Sequence, residues 1–554
     1  LLLTSVFKPF GVDDAFGVKE NVCELMHNQV TRLQGVFSVR SHNRSFGLTL
    51  IAENLQVPAT VLDFPAIDEF LLELKTGHYS HVGISFIVPN FDKARHMVSL
   101  IRAHDPKIQI FLGGHGAAIP NLDSLIPNEG ICRGEGVRWL RERFGEPVNQ
   151  PLKHPVMEVD CWRQILGVPV PHNKGLLIPG VGCVNKCSFC CTSHFFDGYT
   201  PFFKNARDLF EVMKRIADTL QTEEFFVLDE NFLDQRARVH ELLELMRQED
   251  RRFKLEIFSS LRTVASYDPA FLLDLGVQFI WIGVESQKEL FDKVKGISAR
   301  EVISRLRDHG ISVLASTILF LDHHDKTTLQ EDVDYTISLE ADFVQFMELA
   351  PLPGTAVFAD LERQGRICDS VPYREWHGQD KIWFAHPNFS REESRKILDA
   401  AFKQDFEQLG PSLLRIAETR IRALNLLSGD MLSGDLSDLS GDSIPISSKI
   451  GILSPESGDD FSRARRKDLR ASALEMRPLL PVLERMAPND PVRDKARRVS
   501  KAFRKQFGPP TWKERGEAAI VSLLARLEAR KVRQGRVVHQ PATWVDRYRQ
   551  ETKT

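Results

Sequence analysis

The chain has no run that approaches the roughly eighteen apolar residues needed to span a bilayer. Its charges nearly cancel, with 75 Asp and Glu against 72 Lys and Arg, so no global attraction to a polyanion is built in. Cysteine is scarce, eight in 554 residues. Four of them crowd together as Cys183, Cys187, Cys190 and Cys191, while Cys23, Cys132, Cys161 and Cys368 stand alone. That distribution excludes a disulfide-stapled secreted scaffold and favours a metal site in a reducing, cytoplasmic setting. The opening Leu1 to Phe7 has neither a basic flank nor a cleavage site and reads as a strand, not a signal; the chain begins without Met, which leaves a preceding segment open. The apolar fraction of 42% and charged fraction of 27% are those of a globular protein.

At about 150 residues per domain, the length allows three or four domains. Residues 1–145 alternate strand-like segments (Leu1 to Phe7, Ala59 to Phe64, His81 to Val88, Ile108 to Leu112) with amphipathic stretches, which predicts a Rossmann-like α/β domain. Ligands bind such sheets at the carboxyl ends of the strands. Here those ends carry Ser85, then Gly113, Gly114 and His115, and later Gly134 and Glu135.

A Pro- and Val-rich connector spans 146–174. Six strand–helix repeats over 175–390 predict an α/β barrel or part of one, with its active site again at the carboxyl ends of the strands. Residues 391–427 read as a helical extension. Ser-Gly-Asp recurs at 428, 433 and 440 in a segment, 428–460, that reads as a flexible linker. In 461–554 Lys and Arg outnumber Asp and Glu by more than two to one, interleaved with Leu, Ala and Val at helical spacing. This predicts a mainly helical, basic region whose face is either simply solvated or meets nucleic acid, an acidic membrane surface or an acidic partner. No nucleic-acid module is visible in it.

Cys183-Val-Asn-Lys-Cys187-Ser-Phe-Cys190 sets three thiols on one loop directly after the first barrel strand. Three thiolates hold three irons of a four-iron, four-sulfur cluster and leave the fourth open for chemistry. Zinc remains the alternative, with Cys191 or His194 as its fourth ligand.

This spacing, with Phe189 before the last cysteine and a barrel strand before the first, resembles the radical S-adenosylmethionine (SAM) superfamily. The resemblance implies a 4Fe-4S cluster on Cys183, Cys187 and Cys190 whose open iron chelates SAM, and an electron that cleaves it to a 5′-deoxyadenosyl radical. It extends to Asp229-Glu230-Asn231 after the second strand, Ser259 and Arg262 around the end of the third, and Glu285-Ser286 after the fourth, all implied to contact SAM. Asp229 as a helix cap and Glu285 as an ion-pair partner are the structural alternatives. Pro351-Leu-Pro353-Gly354-Thr355 resembles a turn frequent in the cobalamin-associated branch. The first domain, through Ser85, Gly113, Gly114, His115, Gly134 and Glu135, resembles the cobalamin-binding domain of that branch. No Asp-x-His-x-x-Gly occurs there, so a protein histidine on cobalt is not implied, and a Rossmann-like domain without its ligand stays open.

Asp322-His323-His324-Asp325 follows the fifth strand and reads either as an acid, base or substrate contact or as a polar loop. Trp376-His377 and Trp383 to His386 either cover the barrel mouth or, as such aromatics more often do, fill a core. The resemblance implies a class B-like, cobalamin-dependent methyltransferase acting on an unactivated carbon or phosphorus, supplied with electrons by flavodoxin or ferredoxin. The alternatives are ring closure of the anaerobic magnesium-protoporphyrin cyclase type, or a non-catalytic cluster or cobalamin sensor. An RNA methylthiotransferase would need three further amino-terminal cysteines, where Cys23 and Cys132 alone occur. A small-molecule, lipid, tetrapyrrole or peptide substrate is equally open.

Overall fold

The computed structural model describes residues 1–10, 26–170, 174–288, 291, 293–427, 459–536 and 538–549. Most of the expected linker lies outside them. Leu2–Ser5, Ala59–Asp63, His81–Ser85, Gln109–Gly113 and Gly130–Ile131 form a parallel sheet. Helices such as Ile67–Gly77 and Phe91–His104 cover it and bury Phe70, Leu74, Met97 and Ile101 against it. This is the doubly covered α/β layer that continuous apolar strands demand.

A second sheet runs in the order Gly175–Leu177, Glu224–Val227, Lys254–Ser260, Val277–Glu285, Ser312–Leu319 and Phe343–Glu348. Its neighbours are all parallel. The first and last strands do not pair with each other, so this is a six-stranded partial barrel. Alternation sends Phe225, Val227, Leu255, Ile257, Ile280 and Ile282 outward beneath the helices. Phe226, Phe258 and Trp281 face the other way and meet across three strands, at 5.5 and 5.2 Å between ring centres. All three are half-buried, as side chains lining a lumen should be.

The two sheets share cores. Trp376 and Trp383, stacked 5.9 Å apart, join the apolar cluster of the first sheet with Phe358 and Val371. Val30 and Val39 pack on Leu314 and Phe343 of the barrel. The connector contributes Asp160–Ile165 and Val168–Pro169 to a three-stranded antiparallel sheet with Arg40–Asn43.

The basic region folds into helices, chiefly Asp460–Glu475, Asp490–Phe507 and Trp512–Arg533. Beyond them Trp544–Tyr548 returns to the first sheet and pairs antiparallel with Ala59–Asp63. Arg547 clasps Glu73 with bonds of 2.9 and 3.0 Å, and Arg44 pairs with Asp546 while lying 4.7 Å over the Trp544 ring. A chain ending at Gln540 would leave the outer edge of Ala59–Asp63 unpaired, its other edge still bonded to Leu2–Ser5. It should melt several degrees lower in differential scanning calorimetry, with the loss concentrated in the first domain.

Candidate active site

The cysteine loop is anchored at both ends, because Gly180–Val181 pairs with Thr200–Pro201. Cys190 N–H donates to the Cys187 carbonyl at 3.0 Å, and the short helix Cys191–Phe195 starts immediately afterwards. Cys183 is buried and Cys187 and Cys190 half-buried, and none is in a disulfide. Burial pushes the Cys183 thiol up to about 11, helped by the nearby charges of Glu230, Cys190 and Cys187. Burial raises Cys187 too, while Lys293 opposes the rise. Cys183 and Cys187 are thus poor thiolates until a cation joins them, and three sulfur donors on one loop fit a soft metal cluster.

Around this loop the carboxyl ends of the barrel strands are tied down. Asp229 is buried and accepts hydrogen bonds from the Tyr199 hydroxyl at 2.8 Å and Arg238 at 2.9 Å. Glu230 beside it is reached by solvent yet ringed by protein. Burial and then the charge of Asp229 raise its pKa, against a hydrogen bond with Thr192 and the charge of Lys293. Of the two carboxylates, Glu230 is the one that faces open space. Asn231 accepts from the Ser259 hydroxyl at 2.7 Å and from Ser260 N–H at 3.0 Å, locking the second strand end to the third. The Arg262 side chain is exposed, and its backbone N–H donates to the Lys293 carbonyl at 3.0 Å.

Glu285 ends the fourth strand at a break in the pairing register, with a left-handed φ of 67°. It is buried and ion-paired with Lys293, whose ammonium lies 5.3 Å from the Phe189 ring centre. A Cβ at Gly283 would lie 2.0 Å from a Glu285 oxygen and 2.9 Å from Lys293 Nζ, so a larger residue there would displace the ends of both side chains. Lys293 thus joins the fourth strand to the cysteine loop, and nothing in the sequence sets it apart from other lysines.

Ser286 hydrogen-bonds Asp332, and Asp332 accepts from Gln287 N–H at 2.8 Å and meets His324 Nε2 at 2.9 Å. His324 Nδ1 accepts from Leu321 N–H at 3.0 Å, so its proton sits on Nε2. His323, His324 and Asp332 bring ligand atoms within 4.8 Å of one another, and the Nε2 proton of His324 is donated to Asp332. His324 is therefore a buried clamp on the Glu285–Gln287 segment. His386 is spent on structure as well, between the Leu321 carbonyl at 3.1 Å and Asn388 N–H at 3.1 Å.

The carboxyl edge of the first sheet faces this site. Ser85, half-buried, pairs in register with Gly113. Gly114 turns the chain with φ 78°, and a Cβ there would lie 2.5 Å from the Phe86 carbonyl. His115 then stacks 4.9 Å from Phe195, within the helix behind the cluster cysteines. Its Nε2 is buried without a hydrogen-bond partner, and burial lowers its pKa, so the ring is neutral at pH 7. At Gly134 the nearest atom to an added Cβ would be the Phe195 carbonyl oxygen, 3.8 Å away. Glu135 instead caps the helix Gly136–Arg143, accepting from Val137 and Arg138 N–H at 2.6 and 3.0 Å. The Pro351–Thr355 turn bridges both sides: Gly354 approaches Ala118, and Val357 N–H donates to the Ser188 carbonyl at 3.0 Å.

Residues 177–336 match the Radical SAM superfamily, and the chain carries a radical SAM domain over that span. Over 251 residues the chain is 23% identical to the cytidylyl-2-hydroxyethylphosphonate methyltransferase of Streptomyces wedmorensis, covering 42% of this chain and 45% of that protein. The chain thus spans less than half the length of that relative. The whole architecture resembles that of the radical SAM methyltransferase TsrM from Kitasatospora setae, solved with cobalamin and a 4Fe-4S cluster bound. That likeness has a TM-score of 0.51 and 15% identity over 86% of this chain and 99% of that one. A second TsrM structure, with tryptophan substrate and a SAM analogue, gives 0.50 and 14% over 85% and 99%. The fold is therefore the one read from the sequence: a Rossmann-like domain, a radical SAM barrel and a mainly helical C-terminal region.

Proposed function

We propose that the chain is a cobalamin-dependent radical SAM methyltransferase. The observation that carries this is the opposition of His115 and Gly134, at the carboxyl edge of the first sheet, to the Phe195 end of the cysteine-loop helix. The carboxyl edge of the first sheet and the cysteine-loop helix meet there at a domain boundary, where ligand sites commonly lie. When bound, a 4Fe-4S cluster on Cys183, Cys187 and Cys190 supplies the electron that cleaves SAM to a 5′-deoxyadenosyl radical, and cobalamin supplies the methyl group.

The residues around them have separable tasks. Glu230 accepts hydrogen bonds from the SAM ammonium, with Asn231 and Ser259 holding the strand ends behind it. Arg262, Glu285 and Ser286 border the rest of that cofactor, and Lys293 offsets negative charge at the loop beside Phe189. Gly113 and Gly114 let backbone approach the nucleotide tail of cobalamin, Ser85 hydrogen-bonds it, and His115 lines the pocket with its free Nε2. The half-buried Phe226, Phe258 and Trp281 line the lumen in which a substrate carbon or phosphorus would be presented. Flavodoxin or ferredoxin in a reducing cytoplasm would donate the electrons.

Anaerobic reconstitution followed by iron, sulfide and cobalt analysis should give about four irons and one cobalt per chain. S-adenosylhomocysteine should form alongside 5′-deoxyadenosine once substrate is present. Zinc in place of iron, or iron without cobalt, would sink this reading. His115→Ala is expected to weaken cobalamin retention on a desalting column by about tenfold while leaving iron content intact. Lys293→Met should lower SAM affinity by about tenfold and move the cluster's midpoint potential downward, read by potentiometric EPR.

A further inference from the structure

The basic C-terminal region presents one surface that the proposed reaction does not use. Helix Trp512–Arg533 runs for 22 residues, about 33 Å at 1.5 Å per residue. It turns Ala518, Ser522, Ala525 and Glu528 inward. Outward it shows Trp512, Ile520, Leu523 and Leu527, which are 87%, 61%, 58% and 51% exposed. At 3.6 residues per turn these four side chains fall within an arc of about 80°.

Charge on this helix is segregated around that arc. Exposed Arg515, Arg526 and Arg533 border it on one side and Lys513 and Lys531 on the other, with Arg530 at its C-terminal end. The acids are turned aside: Glu514 pairs with Arg477 at 3.0 Å, and Glu528 is buried. Lys513 lies 4.0 Å from Glu517, which is half-buried. A narrow apolar ridge with a tryptophan at one end and cationic borders is the form that lies in the plane of a bilayer surface, its apolar arc at the headgroup boundary and its cations on anionic headgroups. A protein partner would more commonly be met by a broad complementary patch of about 800 Å², whereas this is a single convex helix. No described helix is long and apolar enough to cross a membrane, so the contact would be peripheral.

We propose that the exposed face of helix Trp512–Arg533 docks on an anionic phospholipid bilayer. The test is flotation of the full chain with vesicles of phosphatidylcholine containing about one third phosphatidylglycerol, against phosphatidylcholine alone. Binding is expected on the anionic vesicles, reduced at high salt, with a blue shift in fluorescence that Trp512→Phe diminishes. Leu523→Asp with Leu527→Asp should cut vesicle partitioning at least tenfold while the thermal melt and iron content stay as in the parent. Arg526→Glu with Arg530→Glu provides an independent pair that leaves the apolar ridge intact and should lose the same binding. Absence of binding, equal binding to neutral vesicles, or Asp and Glu variants that bind like the parent would each overturn the proposal. So would a dimer, or a complex with an acidic flavodoxin, that the Leu523→Asp/Leu527→Asp pair abolishes while no vesicle binding is seen.

Discussion

Cys187→Ala should reduce the iron content of reconstituted protein from about four per chain to near zero and abolish SAM cleavage under reducing conditions. The size of this effect follows from the donor set. In the proposed assignment three thiols share the cluster, and two would not retain it against chelators in solution. The fold should survive, because Cys187 is half-exposed on a loop whose ends are held by strand pairing and by Val357 on Ser188. Cobalt content should likewise persist, since His115, Gly114 and Gly134 belong to the other domain. Cys191→Ala is the informative control. Cys191 lies outside the Cys183–Cys187–Cys190 spacing and begins the helix Cys191–Phe195, so its loss should leave all four irons. Loss of iron from Cys191→Ala, or its retention in Cys187→Ala, would refute the three-cysteine assignment.

Asp405→Ala should cost about 3–5 kcal/mol, because it strands a buried guanidinium. Arg415 and Asp405 are fully buried and bonded through both oxygens at 2.9 and 2.8 Å, and Arg415 also donates to the Ala341 carbonyl at 3.1 Å. Nearby, Arg307 and Lys495 converge on Glu418 at 3.1 and 3.0 Å. These charges bolt the helix Ser412–Leu427 to the outside of the barrel. Replacing Arg415 and Asp405 together by Met and Leu should restore most of the loss, because no unpaired charge remains. Burial alone would raise the Glu418 pKa, yet Lys495 and Arg307 hold it well below the carboxylate range. Its contribution to stability is therefore complete above the unfolded value of about 4.3 and fades as pH falls below it. Glu418→Gln should lower stability at pH 7 and flatten its decline on acidification, measured by urea titration across that range.

The alternation of strands with helices and the cysteine loop were legible because they rest on local information: apolar runs of strand length, helical periodicity between them, and thiol spacing within eight residues. What the sequence concealed is tertiary. Lys293 acquires its place by folding back on Glu285 and Phe189. Asp229 read as a cofactor carboxylate, yet Arg238 and Tyr199 already hold it, leaving Glu230 as the open one. Glu135 lies in a glycine-rich turn of the kind that lines pockets, and its side chain caps the following helix. His324 read as an acid, base or substrate contact or as part of a polar loop, and its pairing with Asp332 buries it. Trp544–Tyr548 alternates as a strand does, but a five-residue strand at the end of a basic helical region has no local sign of a partner hundreds of residues earlier.

That last pairing sets an order of assembly. During synthesis, Ala59–Asp63 leaves the ribosome long before Trp544–Tyr548 exists, and at about 5–20 residues per second the wait is roughly half a minute to a minute and a half. Through that interval the first sheet carries an open hydrogen-bonding edge, the template on which nascent chains adhere to one another. Heterologous production should then reward slow translation, low temperature or a chaperone that shields the edge. The same separation means that the first domain is closed by a strand hundreds of residues further along the chain, so early termination would release a barrel joined to an incompletely edged sheet.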